Sequence, residues 1–112
     1  MEERRKKPRI GSLNLTHFSC YDEAGKLLKQ GLGRTINVSE SGILLEIHGD
    51  MPLDQPVTLT IGLEEELVDV NGTIIHHQQM DDGCFRCGVQ FHPLDPDVRA
   101  VVQKFIACFN AR

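Results

Sequence analysis

The 112-residue sequence predicts an all-β fold, a six-stranded antiparallel split β-barrel followed by one C-terminal helix. Three observations carry that expectation. Apolar and polar residues alternate over short runs, the runs are separated by clusters of Gly, Asp, Ser and Pro, and only the last stretch changes to a helical spacing. Six short strands in succession are the pattern of a small closed barrel.

The first run, "LNLTHFSCY" from Leu13 to Tyr21, reads as a strand, and "DEAGK" supplies the Asp and Gly of a turn. The second and third, "LGRTINVS" and "GILLEIH", flank the tight turn "SESG", and "GDMPLDQP" then breaks the pattern. The fourth has the clearest alternation, with Val57, Leu59, Ile61 and Leu63 on one face and Thr58, Thr60 and Glu64 on the other. Leu67 to His77 forms the fifth, in which Val68, Val70, Ile74 and His76 share one parity. After the loop "QQMDDG", Phe85, Cys87, Val89 and Phe91 share a face of the sixth. In "HPLDPDVRAVVQKFIACFNAR", Asp95 suits an N-cap and Pro96 the first helical position. Val98, Val101, Val102, Phe105 and Phe109 then form one stripe that can lie on the barrel.

These elements imply one domain over residues 1–112: a flexible basic arm at 1–10, the barrel at 11–93 and the helix at 94–110. No repeat or low-complexity linker marks a second unit. No apolar run approaches the ~20 residues of a membrane span, and the charged N-terminus has no apolar h-region. A cytoplasmic location without membrane insertion is expected. In that reducing compartment Cys20, Cys84, Cys87 and Cys108 are expected to stay free thiols.

Charge is distributed unevenly. Residues 1–9, "MEERRKKPR", hold five Lys/Arg and two Glu, net +3, leaving seven Lys/Arg and fourteen Asp/Glu, net −7, on the remainder. A local positive field on an acidic body suits a small anionic ligand and not a nucleic-acid polymer, which calls for basic residues along a whole face. Arginine adds chemistry to the charge, because its planar fork takes phosphate oxygens bidentately and matches the O6 and N7 edge of guanine. Arg4, Arg5 and Arg9 are therefore candidates for a guanine nucleotide. The second polar constellation is "NVSESG", in which Asn37 and Ser39 stand two residues apart and Gly42 permits a positive φ or a close backbone approach.

Together these motifs resemble those of the PilZ domain family. Arg5 and Arg9 match R-x-x-x-R, with an additional arginine at Arg4, and Asn37, Ser39 and Gly42 match [D/N]-x-S-x-x-G about 30 residues later. The order of arm, strand, polar turn, further strands and C-terminal helix is similar over essentially the whole chain. The resemblance implies a bacterial receptor for the second messenger cyclic di-GMP, with no catalysis and no cofactor. By the same carry-over, Arg5 and Arg9 would clamp guanine and phosphate, with Arg4 and Lys6 adding contacts. Asn37 and Ser39 would read a guanine edge, and Gly42 would shape the turn. An arginine before R-x-x-x-R accompanies, in this family, a stacked ligand dimer. Many members also carry an aromatic residue near the end of the strand that here reads "VNGTIIHH", leaving His76 or His77 as the stacking group in this Trp-free chain. The implied protein is a monomer or homodimer that signals through arm ordering to an unidentified protein partner.

Two other readings compete. A PilZ-like adaptor that has lost ligand binding would act only through protein contacts. A small zinc module would use Cys84, Cys87 and the nearby histidines His76, His77 and His92, although period-2 geometry puts the two cysteines on opposite faces of one strand. An enzyme is not indicated, since the five histidines are scattered and no nucleophile–base arrangement is recognisable.

Overall fold

The computed structural model describes residues 13–63 and 65–111. Its strands are β1 (Leu15–Tyr21), β2 (Leu27–Val38), β3 (Gly42–His48), β4 (Pro56–Leu63), β5 (Glu66–Gln79) and β6 (Cys84–Phe91). All six pair antiparallel in a closed barrel ordered β1-β2-β3-β6-β5-β4. A single helix, α1 (Pro96–Ala111), follows. The predicted barrel and C-terminal helix are both present.

Closure depends on two long strands that serve different neighbours along their length. β2 pairs with β1 through its first part and with β3 from Arg34 onward, while β5 pairs with β4 up to Thr73 and with β6 from Gly72 onward. Each changes partner near a bulge: the β2 register shifts between Thr35 and Asn37, and the β5 register between Ile74 and His76. A bulge inserts one extra residue, bends its strand and re-aims the side chains beyond it. This overturns one sequence expectation. His76 does not share the inward face of Val70 and Ile74; both of those are buried, whereas His76 is exposed just past the bulge.

The core follows the alternation elsewhere. Phe18, Cys20, Leu45, Val57, Leu59, Ile61, Val70, Ile74, Cys87 and Val89 are buried inside the barrel, and Val102, Phe105 and Phe109 of α1 join them. Val98 and Ile106 are partly buried at the edges of the helical stripe. The helix packs on β4 and β5, and two exposed contacts fix it: Lys104 Nζ donates to Glu66 Oε1 at 2.8 Å and Gln103 Nε2 donates to Glu40 Oε2 at 3.2 Å. The second of these reaches the turn between β2 and β3.

The loop between β3 and β4 seals the opposite end with Met51, which is fully buried. Lys29 Nζ donates to the carbonyls of His48 at 2.7 Å and Asp50 at 3.3 Å, and Asp50 Oδ1 accepts from the Met51 N–H at 2.7 Å. The same loop runs along β5, where Asp54 N–H donates to Ile74 O at 2.7 Å and Ile74 N–H donates to Gln55 O at 3.2 Å. Residues beside the β5 bulge are thus held from the β4 side as well.

Candidate ligand-binding site

On the outer face of β2-β3-β6-β5 the registers align a row that runs from Asn37 to Leu44, Gly88 and His76. Two features open a depression there. Gly88 contributes no side chain, and the two bulges displace the strands on either side. The resulting cavity of about 280 Å³ is lined by Asn37, Ser39, Ser41, Leu44, Ile75 and Gln90, with backbone from Gly42 and Gly88. Leu44 and the exposed Ile75 give it apolar surface, and Asn37, Ser39, Ser41 and Gln90 give it polar groups.

The β2 bulge decides where Asn37 points. Thr35 is buried, so strict alternation would turn Asn37 inward; the extra residue Ile36 lets Asn37 emerge on the outer face while Val38 returns to the core. Asn37 Oδ1 accepts from the Val38 N–H at 2.9 Å, which fixes the amide. Beyond it the turn is closed by Ser39 N–H donating to Gly42 O at 2.8 Å, and the hydroxyls of Ser39 and Ser41 lie 3.0 Å apart. Ser39 Oγ also accepts from the Ser41 N–H at 3.3 Å. Asn37, Ser39 and Gly42, named from the sequence, therefore come together on one surface.

Gly42 serves close approach, the second of the two roles open to it. A Cβ there would stand 2.3 Å from Val89 O, so any side chain would push β3 away from β6 at the cavity wall. The basic arm bearing Arg4, Arg5, Lys6 and Arg9 lies outside the described residues. The described chain that follows it is tied to β2: Thr35 N–H donates to Asn14 O at 2.8 Å, two residues before Asn37. The buried Thr16 and Thr35 hydroxyls, 3.0 Å apart, hold the same corner.

The PilZ domain family model matches residues 3–108. The chain belongs to the PilZ domain family. Among solved structures, K. pneumonia MrkH in its apo state is similar in fold, with a TM-score of 0.61 at 10% identity over 99% of this chain. The match covers 51% of that protein, so this chain spans about half its length. No curated protein matches the sequence.

Within this PilZ domain, Ile75 lines the cavity and His76 does not. His77 is drawn to the sealed end instead: its Nδ1 lies 2.8 Å from Asp50 Oδ1 and its ring 6.2 Å from that of Phe85. His92 Nε2 lies 2.8 Å from Thr73 Oγ1. Cys84 and Cys87 fall on opposite faces of β6, and no group of three His, Cys, Asp or Glu among the described residues is placed to hold a metal ion. Burial pushes the Cys87 thiol up to about 11, with the negative charge of Asp50 adding to the effect, and burial likewise raises Cys20 against the opposing pull of Lys29. Both are core thiols, far from the thiolate form a metal takes. Among the described residues no helix is long and apolar enough to cross a membrane.

Leu44, Ile75, Gly88 and Gln90 went unnoticed in the sequence. Ser41 lies inside the motif, but the other four reach the cavity only through cross-strand register and a bulge, which leave no local pattern.

Proposed function

We propose that this PilZ domain is a non-catalytic receptor that binds cyclic di-GMP in the outer-face cavity and passes the signal to a protein partner. The observation that carries the reading is the convergence of Asn37, Ser39 and Gly42 on one cavity. Family membership supports the ligand class. Polar groups of Asn37, Ser39 and Ser41 suit a purine edge, and the apolar surface of Leu44 and Ile75 suits the flat face of a base.

Size gives the arm its task. At about 280 Å³ the cavity lies just below the ~300–1,000 Å³ range of small-molecule sites, so a ligand with two purine bases and two phosphodiesters projects beyond it. The arm supplies the missing wall and the positive charge: Arg5 and Arg9 clamp phosphate and guanine, with Arg4 and Lys6 beside them. Ordering of that arm is the change a partner reads.

Isothermal titration with cyclic di-GMP, with GTP as control, tests the proposal. Saturable heat at one or two ligands per chain, absent with GTP, supports it, and the stoichiometry distinguishes a single ligand from a stacked dimer. Absence of heat together with an unchanged melting temperature would overturn it in favour of a ligand-independent adaptor.

A further inference from the structure

Next to the cavity row lies a second row on the same outer face, formed by Arg34, Glu46, Arg86 and Gln78 in cross-strand register. It contains two arginines and one carboxylate. Glu46 Oε1 is taken by Arg34 Nη2. The Nε of Arg86 is buried and has no hydrogen-bond partner among the described residues. An unmade hydrogen bond in buried surroundings is destabilising, and doubly unexpected for a guanidinium on a body whose residues 10–112 carry seven Lys/Arg against fourteen Asp/Glu.

Position supplies a reason. Arg86 and Gly88 are two residues apart on the outward face of β6, and Gly88 forms part of the cavity wall. Two strand residues span roughly 7 Å, within reach of an arginine side chain. Glu46, the register partner of Arg86, is paired with Arg34 on its other side.

We infer that Arg86, which stands beside the cavity and outside its lining, is an anion-binding residue of the site, contributed by the barrel itself and not by the arm. Its guanidinium donates to a phosphodiester oxygen of the ligand. The inference rests on the cyclic di-GMP reading and adds to it a fixed positive group that is in place before the arm orders. The Arg34–Glu46 pair acts as a positioning device that keeps the carboxylate engaged.

The test is calorimetric titration of wild type, Arg86→Gln and Glu46→Gln with cyclic di-GMP at two salt concentrations, alongside thermal melts of the free proteins. Arg86→Gln is expected to bind about tenfold more weakly or worse, as for a lost charge-assisted hydrogen bond, with a shallower salt dependence and a free-protein melt as high as wild type. Glu46→Gln, which keeps Arg86 and removes the competing carboxylate, is expected to bind at least as tightly as wild type. Equal affinity of Arg86→Gln and wild type overturns the assignment and leaves the receptor reading standing. Weaker binding by Glu46→Gln with an unchanged melt also overturns it. A wild type that does not bind overturns both.

Discussion

The outer face of β2-β3-β6-β5 and the sealed end under the β3–β4 loop both gather polar and titratable residues, yet they use them in opposite ways. At the sealed end the groups satisfy one another: Lys29 caps the His48 and Asp50 carbonyls, Asp50 holds His77 and the Met51 N–H, and Met51 fills the space beneath. On the outer face the strands are bulged, Gly88 leaves a gap, and Asn37, Ser39 and Ser41 line an open cavity. The end richest in His and Cys is therefore structural. The candidate site is the region where side chains are missing and strands are irregular.

Substitutions that affect one region and spare the other sharpen this contrast. The largest effect is expected from Met51→Ala, which empties a fully buried position and should cost about 2–5 kcal/mol in denaturant unfolding. Its cyclic di-GMP affinity, measured where the variant is folded, should stay within twofold of wild type; a large loss would mean that the sealed end belongs to the site. Gly42→Ala comes next. Its Cβ meets Val89 O, so about 1–3 kcal/mol of stability should be lost by chemical denaturation, and ligand binding should be lost with it. A variant as stable as wild type would contradict the close approach of β3 and β6.

A third change enlarges the apolar surface of the cavity. Ile75→Trp should tighten binding by about 1 kcal/mol, the low end of a base stack, while His76→Trp, outside the lining, should leave the titration curve in place. The reverse ranking would move the stacking position to the far side of the bulge. The smallest effect is a pH dependence at the sealed end. Because the Cys87 thiol titrates at about 11 in the fold against 9.0 as a free group, its contribution is fully present below pH 9 and is lost as pH rises toward 11, where the unfolded chain ionises first. The melting temperature should fall across that window by more in wild type than in Cys87→Ala; equal slopes would remove Cys87 as the cause.

Most of the barrel was legible because inward residues alternate through β1, through Val57 to Ile61 of β4 and through the second half of β6, and because α1 carries a single apolar stripe beginning at Val98. The β2–β3 turn could be read from "NVSESG" for the same local reason. What could not be read is concentrated at the bulges. Parity assigns Asn37 to the side of the buried Thr35, and His76 to the side of the buried Ile74, but one extra residue in each strand reverses both. A bulge is fixed by the partner strand's register, and neither β3 nor β6 announces it in sequence. The early part of β2, Leu27 to Gly31, carries no strand signal because Leu27 and Leu28 are adjacent, both exposed, and break the alternation. Nothing in the sequence marks Arg86, whose buried Nε lacks a partner only by virtue of its three-dimensional surroundings.

The central claim is that the bulged outer face, and not the sealed end, receives the ligand. Titration of isotopically labelled protein with cyclic di-GMP, followed by amide resonances, tests it most directly. The account predicts large shifts at Asn37, Ser39, Ser41, Gly42, Gly88 and Gln90, with Gly49, Met51 and Gly83 unmoved. Shifts confined to the β3–β4 loop and the Asp81–Gly83 turn, or a spectrum that does not change, would contradict it.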